Sequence, residues 1–172
     1  MSKKPEMAQI NLRPMTLSDL EEVAEIDRVS FSMPWPKEAF LYELRRTRKT
    51  LCWVAEWVSP GENPILLASI VIWFMGDKAH IGTLAVIPGY RRRGTGQQLL
   101  AKALLECIRC GIQQVTLEVR QSNQGAQQLY QKFGFKEIGL REDYYKDTHE
   151  DAVMMALTNL DEKKLAILAN CG

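Results

Sequence analysis

The sequence has little of several features that mark particular classes of protein. Its four cysteines in 172 residues do not suggest a disulfide framework. A formal net charge of +1 argues against a general nucleic-acid-binding protein, which usually has a strongly basic balance. The longest apolar run, residues 65–75, is well short of the roughly 18–20 residues that cross a bilayer. Residues 1–6 lack the apolar core of a signal peptide. We therefore expect a cytoplasmic protein that contacts neither membranes nor nucleic acid directly.

The features that are present fit one folded domain. A chain of this length with 46% hydrophobic residues can bury a sizeable core, and no Pro/Gly/Ser-rich linker divides it. Alternating apolar positions predict strands, and apolar positions at helical spacing predict helices. Their order along the chain is β-α-α-β-β-β-α-β-α-β-β. This order predicts an α/β domain with about seven strands and about four helices.

Cys107 and Cys110 form a C-x-x-C pair, a pattern that occurs in redox and zinc sites. A redox pair is usually activated at the start of a helix, but this pair lies at a predicted helix end, where the dipole disfavours a thiolate. No second pair stands at zinc-site spacing. We therefore expect helix packing, and no metal site.

A glycine-rich junction between a strand and a helix carries the main functional signal. The predicted strand 81–87 leads into Arg91-Arg92-Arg93-Gly94-Thr95-Gly96, and a helix follows directly. Unpaired amides at a helix start bind anions, glycines allow close approach, and arginines suit phosphate. The junction lacks the Lys-Ser/Thr of a Walker loop and the third small residue of a dinucleotide fingerprint, where Leu99 stands. It predicts a phosphorylated ligand; an unoccupied, solvated turn is the alternative.

The string Arg91-x-x-Gly94-x-Gly96 resembles the coenzyme A pyrophosphate motif, Gln/Arg-x-x-Gly-x-Gly/Ala, of the GNAT acetyltransferases. The resemblance implies a GNAT domain over residues 10–157 with a mixed, mostly antiparallel sheet, and a tail over 158–172 that could form a short helix. It implies acetyl-CoA as the cosubstrate. In this family the strand before the motif splays from its neighbour and binds pantetheine, a role that falls here on Leu84, Ala85 and Val86. The implied pyrophosphate-binding residues are Arg91, Arg92, Arg93, Gly94, Thr95, Gly96 and Gln97.

Acetyl transfer to an amine needs a proton acceptor, a donor for the developing oxyanion and a proton for the departing thiolate. Glu118 shares a strand face with Thr116 and Arg120, opposite the apolar residues of that strand, so it can face a cleft. A solvated outward side chain is the alternative for Glu118. Tyr130 lies on an apolar helix face and can be a proton donor with an ordinary pKa of about 10, or simply a core residue.

A longer pattern strengthens both assignments. Leu117-Glu118-Val119-Arg120-x-Ser122-Asn123, followed by Leu129-Tyr130-x-x-x-Gly134-Phe135, resembles the RimI subfamily of GNAT enzymes, which acetylate the N-terminal alanine of ribosomal protein S18. The resemblance implies Glu118 as general base, Tyr130 as general acid and Asn123 as a cofactor contact. It also implies that a backbone amide near Leu84 polarises the thioester carbonyl.

The acceptor side resembles N-terminal acetyltransferases as well. Met33-Pro34-Trp35 is similar to a loop on one wall of their substrate groove, and Tyr144-Tyr145 to a tyrosine pair on the other wall. An ordinary loop anchor is the alternative for the tyrosines. His80 stands where some relatives carry a catalytic Tyr, so it is a reserve proton acceptor. An α-amine with a pKa near 7.8 costs roughly 3.5 kcal/mol less to deprotonate than a lysine with a pKa of about 10.4.

These patterns predict an acetyl-CoA-dependent acetyltransferase whose partner is a protein N-terminus, with ribosomal protein S18 as the expected one, and we expect a monomer. Two alternatives stay open. One is a GNAT enzyme that acts on a small-molecule amine or a lysine side chain. The other is a non-catalytic module that binds acyl-CoA.

Overall fold

A seven-stranded sheet of order β1-β2-β3-β4-β5-β7-β6 organises the residues that the computed structural model describes, 9–170. Cys171 and the N-terminal residues considered above as a signal segment lie outside this range. The strands are β1 (Gln9–Pro14), β2 (Thr50–Val58), β3 (Ile65–Met75), β4 (Lys78–Val86), β5 (Gln114–Arg120), β6 (Lys136–Tyr145) and β7 (Glu150–Leu157). The helices are α1 (Leu20–Ser30), α2 (Lys37–Leu44), α3 (Thr95–Arg109), α4 (Gln124–Phe133) and α5 (Glu162–Asn170). The predicted α/β class and element order are confirmed.

All neighbouring strands pair antiparallel except β4 and β5, which are parallel. Their pairing covers only Lys78, Ala79 and His80 of β4, and it ends at the pair His80–Thr116. Beyond His80 the two strands diverge, as the GNAT resemblance implied. The splay opens the middle of the sheet, and both strands present unpaired edges there.

The prediction that β4 begins at Ile81 was wrong by three residues. Lys78, Ala79 and His80 belong to the strand, since they are the residues that pair with β5. Residues 76–78 include a glycine and an aspartate, a composition typical of a turn, so the local sequence does not mark Lys78 as a strand residue. Pairing with a strand 36 residues further along the chain cannot be recognised from that local composition.

A bulge at Gly82 marks the point where β4 leaves β5. Val71 of β3 pairs with Thr83, but the next residue, Ile72, pairs with Ile81, so Gly82 is the extra residue. The indole rings of Trp73 and Trp35 cover this glycine. A Cβ atom at position 82 would lie 3.0 Å from the Trp73 ring and 3.1 Å from the Trp35 ring. A side chain at position 82 would therefore push against both indole rings, and the bulge bends β4 locally.

Helices cover both faces of the sheet. One face packs against the apolar stripe of α3, which contains the fully buried Leu100 and Leu104. The other face packs against α1 and α2, where Val23 and Phe40 are fully buried. Strand β3 lies between these layers, which explains its almost continuous apolar sequence.

The predicted short tail helix forms as α5 and joins the core. Leu165 is 1% exposed and Leu168 is 8% exposed, both in the cluster that α3 covers. Cys107 is buried in α3, and burial raises the pKa of its thiol to about 12. Cys110 is exposed just after the helix ends, and both thiols are free. Cys107 thus packs in the core as expected, whereas the exposed Cys110 does not take part in helix packing.

Candidate active site

The splay between β4 and β5 opens into a cavity of about 630 Å³. Strand β4 contributes Leu84 and β5 contributes Glu118, while α4 and the residue before it contribute Tyr130 and Asn123. The cavity also reaches both predicted groove walls, through Met33, Trp35, Tyr144 and Tyr145. Of the predicted site residues, Pro34, Ala85, Val86 and the motif residues 91–97 do not line it. The structure thus brings the two predicted catalytic residues and both groove walls to one cavity.

Glu118 lies at the apex of the splay, with a side chain that is 11% exposed. Its Oε2 atom lies 2.6 Å from Nε2 of His80, and its Oε1 atom lies 3.6 Å from Nη2 of Arg141 on β6. The hydrogen bond from His80 is the main cause that lowers the pKa of the Glu118 carboxyl below its usual value, against the opposing effect of burial. Glu118 is therefore an ionised carboxylate near neutral pH, as a proton acceptor must be.

Contacts on three sides hold the imidazole of His80. Its Nδ1 atom lies 2.8 Å from the hydroxyl oxygen of Thr116. Its ring stacks on Trp73, with centroids 5.7 Å apart and planes 7° apart, and Trp73 stacks in turn on Trp35. A neutral ring satisfies both polar contacts, since Nε2–H donates to Glu118 and Nδ1 accepts from Thr116. His80, which the sequence suggests as a reserve proton acceptor, is therefore in direct contact with the predicted base Glu118.

Tyr130 faces the cavity from α4 and is 7% exposed. Its ring packs edge-on against Phe135, with centroids 5.6 Å apart. Burial raises the pKa of the phenol well above its ordinary value. The hydroxyl therefore stays protonated across the physiological range, which is the state that a proton donor needs.

The glycine-rich motif forms a cradle at the start of α3. Arg92 and Gly94 both have left-handed backbone conformations, with φ of 60° and 86°. They turn the chain into the helix, whose first amides have no partner within the helix. Thr95 is 1% exposed, and its hydroxyl has no hydrogen-bond partner among residues 9–170. A Cβ atom at Gly96 would lie 3.2 Å from Val86, so the loop packs closely against β4.

The three arginines of the motif have different surroundings. The Nε atom of Arg91 donates to the carbonyl oxygen of Val86 at 2.8 Å, and its Nη2 atom lies 3.2 Å from the hydroxyl oxygen of Ser30. Arg91 therefore fastens the loop to the end of β4. The guanidinium of Arg93 lies over the ring of Tyr90, 5.3 Å from its centroid, and Arg92 is exposed. Exposed cations beside the amides of a helix start, and a hydroxyl with no partner in the described part of the chain, fit a pyrophosphate.

Gln97 and Asn123, both predicted cofactor contacts, also have structural partners. The Gln97 side chain donates to the carbonyl oxygen of Leu168 in α5 at 3.1 Å and accepts from Lys132 at 2.5 Å. The Asn123 side chain caps α4 by accepting from the amide of Ala126 at 3.1 Å. Gln97 thus links α3 to α4 and α5, and Asn123 fixes the start of α4, which lines the cavity.

The sequence analysis missed the role of Arg120, which connects the two groove walls. Its Nη2 atom lies 2.9 Å from Oγ of Ser32, in the loop after α1, and 2.9 Å from Oδ2 of Asp147, in the loop before β7. Ser32 and Asp147 are also hydrogen-bonded to each other. The Arg120 guanidinium lies 4.0 Å from the centroid of the Tyr145 ring. The position of Arg120 on the same strand face as Glu118 was the available signal.

Comparisons with known proteins agree with this geometry. A model of the acetyltransferase (GNAT) family matches residues 20–135. A Bacillus subtilis protein, named as a candidate ribosomal protein bS18-alanine N-acetyltransferase, is 37% identical over 147 residues, 86% of this chain and 94% of the relative. The Escherichia coli ribosomal protein bS18-alanine N-acetyltransferase is 31% identical over 142 residues, 81% and 91% of the two chains.

A solved structure extends the agreement to three dimensions. The crystal structure of the ribosomal-protein-S18-alanine N-acetyltransferase from Escherichia coli superimposes with a TM-score of 0.75 at 29% identity and covers 87% of this chain and 93% of that one. Among residues 9–170, no helix is long and apolar enough to span a membrane. No group of three or more His, Cys, Asp or Glu side chains in the same range could hold a metal ion. The chain belongs to the GNAT acetyltransferase family and is a RimI-type N-acetyltransferase that uses acetyl-CoA.

Proposed function

We propose that this enzyme acetylates the α-amine of a protein N-terminus, and that its acceptor is the N-terminal alanine of ribosomal protein S18. The observation that carries the proposal is the position of the Glu118 carboxylate, between the open edge of β4 and the groove formed by the Met33–Trp35 loop and Tyr144-Tyr145. The names of the Bacillus subtilis and Escherichia coli relatives supply the identity of the acceptor. A ribosomal acceptor also implies action in the cytoplasm.

The residues around the splay divide between the cosubstrate and the acceptor. The cradle of residues 91–97 holds the pyrophosphate, and the open edge of β4 at Leu84, Ala85 and Val86 pairs with pantetheine. Bound acetyl-CoA supplies an acetyl group already activated as a thioester. A backbone amide near Leu84 donates to the carbonyl oxygen of that thioester and stabilises the charge that develops on it.

Glu118 takes the proton from the acceptor amine. Its carboxylate is ionised and lines the cavity, and the hydrogen bond from His80 holds one of its oxygen atoms in place. Because the pKa of Glu118 is lowered, it is a weak base. This favours an α-amine over a lysine, since the α-amine loses its proton far more easily.

Tyr130 donates a proton to the departing sulfur. Its raised pKa keeps the hydroxyl protonated until the thiolate forms, and Phe135 holds the ring at one orientation. Glu118 and Tyr130 line the same cavity from different elements, β5 and α4. This arrangement allows attack by the amine and departure of the thiol in one site without a covalent acetyl-enzyme.

Peptide acetylation measured with matched acceptors tests the proposal. Three acceptors are compared. The first is an S18-like peptide that begins with alanine, and the second is this peptide with a blocked N-terminus and an internal lysine. The third is a small primary amine. We expect acetylation of the free N-terminus alone. Activity that survives the block would assign the enzyme to lysine or small-molecule amines. The variant Glu118→Gln should bind acetyl-CoA normally and lose most activity. If the unmodified protein binds acetyl-CoA but acetylates none of the acceptors, it is a non-catalytic acyl-CoA-binding module.

A further inference from the structure

We propose that Asp27, a buried residue of α1, is a positioning residue that sets the orientation of the catalytic base through Trp35, Trp73 and His80. The inference rests on the proposed role of Glu118 as base. Asp27 itself neither lines the cavity nor contacts Glu118, and its hydrogen bond from the Trp35 amide connects it to the base through these three aromatic rings.

Asp27 joins three elements at one buried point. It is 0% exposed, and its Oδ2 atom accepts from the backbone amide of Trp35 at 2.6 Å. Its Oδ1 atom accepts from the hydroxyl of Thr83 at 3.0 Å. Burial raises the pKa of this carboxyl, against the effect of the two hydrogen bonds. Burial of a carboxyl is unfavourable unless hydrogen bonds compensate for it. The two hydrogen bonds of Asp27 do so, and they fix the loop after α1 to the splayed part of β4.

The fixed loop presents the ring of Trp35 to a stack that ends at the base. Trp35 and Trp73 have centroids 5.6 Å apart and planes 15° apart, and Trp73 and His80 have centroids 5.7 Å apart and planes 7° apart. His80 then contacts Glu118 at 2.6 Å. Because the rings are nearly parallel, a tilt of Trp35 changes the space available to Trp73 and hence to His80.

Gly82 shows how little freedom the stack has. The nearest atoms to a Cβ atom at this position would be those of Trp73, at 3.0 Å, and Trp35, at 3.1 Å. The two indoles therefore rest directly on the β4 backbone. Trp35 is held on the side away from Trp73 by the hydrogen bond from its amide to Asp27 and by its ring contact with Phe40, whose centroid lies 5.4 Å away.

The charged and titratable groups around the end of the stack are few. Glu118 faces His80 from β5, and Arg141 faces Glu118 from β6. Tyr145 interacts with Glu118 electrostatically from the end of β6. Loosening of His80 removes the largest stabilisation of the Glu118 carboxylate, so its pKa should rise toward the ordinary value.

The experiment compares Asp27→Ala with Asp27→Asn and with Asp19→Ala. An Asn side chain can accept from the Trp35 amide and donate to the Thr83 hydroxyl, so it should restore the position of the stack. Asp19 is 5% exposed at the other end of α1 and pairs with Arg13, so its loss should lower stability without reaching the stack. Two quantities are measured: kcat with the S18-like peptide, and the NMR shifts of the His80 ring protons, which depend on the ring current of Trp73.

We expect Asp27→Ala to lower kcat by about tenfold, since small displacements of a catalytic group are costly, and to move the His80 proton shifts. The affinity for acetyl-CoA should stay unchanged. Asp27→Asn and Asp19→Ala should keep the kcat and His80 shifts of the unmodified enzyme. The proposal would be overturned if Asp27→Ala lowered only the melting temperature, as Asp19→Ala is expected to do. It would also be overturned if Asp27→Ala moved the NMR shifts of the His80 ring protons but left kcat unchanged.

Two provisions keep the test decisive. Should Asp27→Ala fail to fold, Gly82→Ala perturbs the same stack from the β4 side and should change kcat and the His80 shifts in the same way; an unchanged kcat in that variant overturns the proposal. The NMR shifts need no turnover. An unmodified enzyme that acetylates no peptide would contradict the proposed function, while the shifts would still report whether Asp27 controls His80.

Discussion

The Nε2 atom of His80, the last β4 residue that pairs with β5, lies 2.6 Å from the Oε2 atom of Glu118, which follows the His80 partner Thr116 on β5. The two residues come from strands that part immediately afterwards. The contact therefore fixes the proposed base at the apex of the opening, where the thioester and the amine must meet.

Removal of the imidazole should raise the pKa of Glu118. In the folded protein this pKa lies below its usual value, chiefly because His80 donates a hydrogen bond to the carboxylate. As the pH is lowered, the Glu118 carboxyl of His80→Ala should therefore become protonated at a higher pH than in the unmodified enzyme. The loss of kcat on acidification should begin at a correspondingly higher pH. The titration can be followed by ¹³C NMR of the carboxyl. His149→Ala, which removes an exposed imidazole bound to Asp143, is the control. An unchanged titration in His80→Ala would contradict this account.

Loss of the Tyr130 hydroxyl should slow turnover without weakening cosubstrate binding. A general acid contributes typically 10²–10⁴-fold, so Tyr130→Phe should lower kcat by about 10² or more. The ring and its contact with Phe135 stay in place. Calorimetric titration with acetyl-CoA and steady-state kinetics measure the two effects separately. A kcat equal to that of the unmodified enzyme would exclude Tyr130 as the acid.

Arg120 should determine how well the acceptor binds. Because it holds Ser32 and Asp147 together across the groove, Arg120→Ala should raise KM for the peptide and leave the affinity for acetyl-CoA unchanged. The matched control is Arg109→Ala, which removes an exposed arginine that pairs with Glu106 at the far end of α3. Equal peptide KM values in the two variants would show that Arg120 does not shape the groove.

Gly94→Ala should weaken the binding of acetyl-CoA. Gly94 has φ of 86°, a conformation that costs an L-residue roughly 1–2 kcal/mol. Relaxation of the loop would move the first amides of α3 and raise Kd for the cosubstrate. Gly89→Ala is a matched control in the same loop region, because its backbone is not left-handed and a Cβ atom there meets nothing within 4 Å. Isothermal titration should distinguish the two variants; the same Kd in both would refute the role of the cradle.

The tail helix should contribute to the stability of the whole domain. Leu165 is 1% exposed, so Leu165→Ala should lower the free energy of unfolding by about 2–5 kcal/mol. Ile167→Ala, on the side of α5 where the side chain is 63% exposed, should have little effect. Urea denaturation measures both. Equal, small changes would mean that α5 is only peripheral to the core.

Most of the fold could be predicted because its signals are local. The apolar stripe of α3 and the alternation of β5 are visible within a few residues, and Gly94 and Gly134 stand where their helices begin and end. The pairing of β4 with β5 is different, since it joins residues 36 positions apart, such as His80 and Thr116. The sequence analysis therefore began β4 too late.

The same difference between local and long-range signals explains which parts of the site could be predicted from the sequence. Glu118, Tyr130 and the motif at Arg91 could be named because each belongs to a short recognisable string. The contacts of Glu118 with His80 and Arg141 could not be predicted, because these residues reach it only through strand register. Likewise, the hydrogen bond between Arg120 and Ser32 joins residues 88 positions apart.

The mass of the N-terminal peptide of ribosomal protein S18 from cells shows directly whether this enzyme acetylates that protein. Cells that lack this enzyme would be supplied either with the unmodified gene or with Glu118→Gln, and the N-terminal peptide of S18 would be analysed by mass spectrometry. The account predicts one acetyl group on the α-amine of the first alanine with the unmodified enzyme, and little or none with Glu118→Gln. Equal acetylation in both cells would contradict it.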